Sequence, residues 1–94
     1  MKSFVVAAFI SAAALAAGTA QAQEALAQSS GCLTCHAVAT KKMGPSFKDV
    51  AAKYKGQADA EAKLVAKLKD GKGHPAVKTS EGDTMSLVKW ILAM

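Results

Sequence analysis

A chain of 94 residues with twelve lysines, no arginine and seven acidic residues carries a net charge of +5. The excess is mild and lacks guanidinium groups: it suits docking onto an acidic partner protein, is weak evidence for nucleic acid, and has lysines spread over solvated helix faces as its plainer reading. The only two cysteines lie three positions apart, so a disulfide between them would close a trivial loop and stabilise little.

Met1-Lys2 opens the chain with positive charge, a run of apolar and small residues follows from Phe4 to Ala17, and Ala20-Gln21-Ala22 has the small-X-small form of a cleavage site. Together these read as a secretory signal over residues 1–22, which places the remainder in the periplasm. The apolar run is short for a bilayer span, so no membrane span is expected after cleavage. An uncleaved N-terminal anchor is the alternative.

Residues 23–94 then form one small domain of 72 residues with eleven lysines against seven acids, a charge of +4. A domain of that size buries too little apolar surface by itself and calls for a staple.

Four helical stretches follow in order. The first is expected over Glu24 to His36, with Ala25, Leu26, Cys32, Leu33 and Cys35 on its apolar side. Pro45 suits the first turn of a second helix reaching Tyr54, and Gly56 can end it. A third, from about Ala58 to Asp70, sets Leu64, Val65 and Leu68 on one stripe and stops at Gly71 and Gly73. The fourth runs from about Glu81 to Ala93 behind Ser80-Glu81-Gly82-Asp83, a capping box with Asp83 in place of the usual Glu or Gln. Its apolar face carries Met85, Val88, Ile91 and Leu92. No run alternates as a strand does, so the fold class is all-α, with loops near residues 37–44 and 71–80.

Within the first stretch stands Cys32-Leu33-Thr34-Cys35-His36. Cys-X-X-Cys-His is the pattern of covalent haem attachment. Each thiol can add to a haem vinyl group, and His36 follows directly as an axial iron ligand. Haem would also be the missing staple, a large apolar body around which short helices pack. A thioredoxin-like pair would need a βαβ context, and a zinc site four ligands; beyond Cys32, Cys35 and His36 only His74 remains.

The chain from residue 23 onward resembles a small bacterial class I c-type cytochrome. The resemblance rests on Gly31-Cys32-Leu33-Thr34-Cys35-His36-Ala37-Val38, on Lys42-Met43-Gly44-Pro45-Ser46-Phe47 running on to Tyr54, and on Leu87-Val88-Lys89-Trp90-Ile91-Leu92. It implies a small cytochrome c fold of about four helices around one haem c. It further implies that Gly31 lets the first and last helices cross closely, that Trp90 packs at the crossing, and that the Pro45 carbonyl accepts a hydrogen bond from His36.

The chain departs from the family at the second axial ligand, for it has no Pro-Met-Pro-Pro segment. Gly73-His74-Pro75 occupies that register when counted back from Trp90. His74 is therefore the expected distal ligand, giving a bis-histidine iron; a surface-loop histidine and an open sixth position are the alternatives. Met43 and Met85 read as packing residues, and Met94 as a frayed end.

The function expected is that of a periplasmic single-electron carrier, not an enzyme, working between redox partners with acidic docking surfaces. Lys41 and Lys42 are candidate rim contacts. A sensor haem open to CO or NO is the alternative. His/His ligation implies a lower potential than His/Met, because the thioether favours ferrous iron.

Overall fold

The computed structural model describes residues 11–94, with side chains from Ala20 onward. Among the described residues there are four α-helices, one short 3₁₀ turn and no strand. The positive start and early apolar run on which the expected export signal rests, residues 1–10, lie outside the described residues. No helix among those described is long and apolar enough to cross a membrane.

The first helix, α1, spans Ser11–Ser29, so it begins well before Glu24 and stops seven residues short of His36. Its length follows from alanine, the strongest helix former, which recurs throughout the segment. Its end follows from Gly31, which takes φ +83°, a left-handed conformation that glycine adopts without penalty. The expectation that Gly31 permits a close helix crossing is corrected here: a Cβ on Gly31 would meet nothing within 4 Å. What the position requires is the turn. Beyond it, Cys32–Thr34 form the 3₁₀ turn.

Helix α2 covers Phe47–Tyr54. It starts after Ser46 rather than at Pro45, because the Ser46 hydroxyl accepts a hydrogen bond from the Asp49 N–H at 3.1 Å and so caps the first turn. Helix α3 is Ala60–Asp70, closed by Gly71 at φ +72°. Helix α4 is Glu81–Leu92, and Ser80 caps it as the capping pattern predicts, accepting from the Asp83 N–H at 3.1 Å.

Helix α4 is the hub, packing against α1, α2 and α3. Its Leu87 and Val88 are 1% exposed and meet a core completed by Ala27 of α1, Phe47 and Ala51 of α2 and Ala60 of α3. Three of these six are alanines. Larger apolar residues such as Leu64, Val65, Leu68, Val77 and Trp90 stay half-buried. The helices alone therefore leave much of the apolar surface uncovered, as expected of a domain of this size that packs around a cofactor.

Candidate functional site

The 3₁₀ turn sets the geometry of the Cys-X-X-Cys-His run. The Cys32 carbonyl accepts from both the Cys35 N–H, at 3.3 Å, and the His36 N–H, at 3.0 Å. In a 3₁₀ turn residues i and i+3 eclipse, so Cys32 and Cys35 fall on one side of the turn. Both thiols are free and half-buried. Burial pushes the Cys32 thiol above its ordinary range, partly offset by its hydrogen bond to the backbone.

The loop after the motif is strapped back onto it. The Gly44 N–H donates to the Cys35 carbonyl at 2.7 Å, and the Lys42 ammonium to the Leu33 carbonyl at 2.9 Å. At the entry to α2, the Phe47 and Lys48 N–H groups donate to the Ala37 and Val38 carbonyls at 2.9 and 3.1 Å. This strapping brings Pro45 beneath the imidazole of His36, whose Nδ1 lies 2.6 Å from the Pro45 oxygen. A carbonyl can only accept, so Nδ1 carries a proton, and in the neutral ring the lone pair is then on Nε2. Phe47 stacks against the same ring, centroids 5.4 Å apart, and meets Trp90 edge-on at 5.6 Å. Trp90 thus ties α4 to the His36 environment through Phe47.

Gly44 is a site residue that sequence reading missed. A Cβ there would collide with His36 Cε1 and stand 2.8 and 2.9 Å from Nδ1 and Nε2. Real side-chain carbons do not approach so closely, and only glycine lets the imidazole lie where it does. Met43 is another correction: it was expected to pack, yet it is 88% exposed. Its neighbours Lys42 and Gly44 point their bonds inward to the motif, which turns the intervening side chain out to solvent. Met85 is half-buried on α4, and Met94 is 39% exposed.

The fold brings His74 from the far loop beside His36, the two rings stacked. The two ring centroids are 5.9 Å apart and the planes differ by 9°. His74 repeats the arrangement of His36, for its Nδ1 lies 2.7 Å from the Pro75 carbonyl, which again leaves Nε2 with the lone pair. The loop is held to α3 by the Val77 N–H donating to the Leu68 carbonyl at 2.8 Å. It is held to α4 by Thr79, whose hydroxyl is 2.5 Å from that of Thr84; Thr84 in turn donates to the Ser80 carbonyl at 3.0 Å.

These residues fit a haem. His36 and His74, with ring centroids 5.9 Å apart, would hold the iron through imidazole nitrogens at the ~2 Å typical of metal–nitrogen bonds. A carbonyl that accepts the Nδ1 hydrogen bond orients a ligating imidazole and raises the basicity of its other nitrogen. They do not fit zinc: among the described residues no three His, Cys, Asp or Glu side chains converge to hold an ion. A porphyrin supplies four ligands itself and asks the protein for only two.

Comparison with known proteins agrees. The profile of the family Cytochrome c matches residues 16–92. Cytochrome c-552 of Nitrosomonas europaea is 39% identical, with all of this chain and 99% of the relative covered. Cytochrome c-551 of Pseudomonas aeruginosa is 41% identical over 84% of this chain and 89% of its own. Among solved structures, the class 1 cytochrome MtoD from Sideroxydans lithotrophicus superposes with a TM-score of 0.72 at 39% identity, covering 78% of this chain and 92% of that one. The chain belongs to the cytochrome c family, as a small class I c-type cytochrome of the c-551 and c-552 kind, and its cofactor is covalent haem c with its iron.

Proposed function

We propose that this cytochrome is a periplasmic single-electron carrier, its haem joined to Cys32 and Cys35 and its iron held between His36 and His74. The observation that carries the reading is the pairing of two near-parallel imidazoles, 5.9 Å apart, each with Nδ1 against a proline carbonyl. The haem supplies a one-electron iron couple when bound. The protein's residues hold that iron in one coordination. The carbonyls of Pro45 and Pro75 fix both ring orientations and raise the basicity of the nitrogens left free. Gly44 and Phe47 confine the His36 ring from the side.

His36 and His74 together would leave no position on the iron for a substrate, which favours carriage over catalysis. The same pair lowers the potential relative to a His/Met iron. Lys41 and Lys42, beside the attachment turn, are exposed and would meet an acidic partner at the haem edge.

Export is part of the proposal: residues 1–22 serve as a cleaved signal and residues 23–94 as the working domain. The Nitrosomonas relative aligns over all of this chain and 99% of its own, whereas the solved MtoD structure matches 78% of this chain while using 92% of itself. A domain of 72 residues out of 94 is the piece such structures would match.

The deciding test is low-temperature EPR of the oxidised holoprotein beside its His74→Ala variant. A low-spin bis-imidazole signal that turns high-spin in the variant supports the ligand pair. A high-spin signal in both would overturn it and make CO or NO binding the leading function.

A further inference from the structure

We propose that the working chain begins with pyroglutamate, formed from Gln23. The inference rests on the export reading, since it needs cleavage after Ala22. Ala20, Gln21 and Ala22 are exposed residues of α1, and cleavage after Ala22 releases a glutamine at the new end.

Gln23 differs from its exposed neighbours. Its side chain is half-buried, and its Oε1 is shielded from water yet has no hydrogen-bond partner. Buried carbonyl oxygens are nearly always paired, so this carboxamide is one the fold does not anchor through its oxygen. Cleavage adds one polar group within its reach, the α-amine of Gln23 itself.

The chemistry balances without an oxidant or a co-reactant. The lone pair of the free α-nitrogen attacks Cδ, an N–Cδ bond forms, the Cδ–Nε2 bond breaks, and Nε2 leaves as ammonia with the proton the amine sheds. The product is a five-membered lactam that keeps the carbonyl oxygen and carries no charge. Loss of the charge also suits the position. A free α-ammonium would stand at the start of the helical segment that continues to Ser29, where the helix dipole is already positive. The lactam closes the chain to aminopeptidases and removes the one amine that titrates near neutrality.

The test is the intact mass and N-terminal sequencing of the holoprotein recovered from the periplasm, with Gln23→Ala beside it. The expected mass is that of residues 23–94 plus haem less one ammonia, with sequencing blocked until a pyroglutamyl peptidase is added. Gln23→Ala should give its full mass and sequence freely. A wild-type mass without the loss, with Gln read at the first cycle, overturns the inference and leaves export standing. Loss of ammonia in Gln23→Ala as well would trace it to another amide and overturn it too. A chain starting anywhere other than Gln23 overturns cleavage after Ala22, and the inference with it.

Discussion

His36 and His74 lie 38 residues apart in the chain, yet their imidazoles stack with centroids 5.9 Å apart, within 9° of parallel. Neither ring is free to turn, because each Nδ1 is engaged by a backbone carbonyl, that of Pro45 on one side and of Pro75 on the other. The near-parallel planes are thus a property of the backbone, not of an adaptable side-chain contact.

Replacing His74 by Met is the direct probe of what that pair does to the iron. The soft thioether favours the ferrous state, so His74→Met should raise the reduction potential, by a fraction of the about 0.8 V that axial ligand choice spans. Film voltammetry of wild type and variant reads the shift. An unmoved potential would mean that residue 74 does not touch the iron.

Gly44→Ala should damage the site from the His36 side. The added methyl collides with Cε1 of the ring, and the backbone cannot retreat because the Gly44 N–H is bonded to the Cys35 carbonyl at 2.7 Å. Overpacking of this kind costs about 1–3 kcal/mol. Denaturant unfolding of the holoprotein should show that loss, together with a shifted Soret band from the displaced imidazole. Gly31→Ala should keep its Soret band, since no atom lies within 4 Å of the added methyl. Its penalty is the left-handed φ alone.

Such a contrast between two glycines was not legible in the chain. The attachment motif, the fourth helix and its Ser80 cap could be read directly, because each is a local pattern with a local cause. The same Ser-x-x-Asp signal stands at Ser46 and was overshadowed by Pro45, whose carbonyl serves His36 instead of opening the helix. Gly44 depends on a loop folding back over the motif, and Met43 is exposed for the same reason. Those are consequences of tertiary strapping, which no periodicity encodes. Register alone points to His74, but its distance from His36 needs the fold.

Thr84→Val tests how the distal loop is held. Thr84 is 5% exposed and links two bonds in series, accepting from Thr79 and donating to Ser80. Valine keeps the shape and removes both, leaving the Thr79 hydroxyl unpaired, a loss of about 1–3 kcal/mol. If the clamp keeps His74 on the iron, the ferrous variant should bind CO faster than wild type in stopped-flow mixing. Equal rates with the same drop in stability would make Thr84 a packing residue only.

The two loop lysines should separate charge from architecture. Lys41 is exposed and makes no hydrogen bond of its own, whereas the Lys42 ammonium donates to the Leu33 carbonyl within the attachment turn. Lys41→Glu changes only the field at the rim. It should slow electron transfer to an acidic partner at low ionic strength, and the deficit should shrink as salt shortens the screening length to ~10 Å near 0.1 M and ~3 Å near 1 M. Lys42→Glu carries the same charge change and also breaks the bond to Leu33. Its rate defect should therefore keep a part that salt does not remove. Stopped-flow rates against ionic strength for the two variants test this, and curves that coincide would mean that the Leu33 bond contributes nothing to how the turn presents the haem.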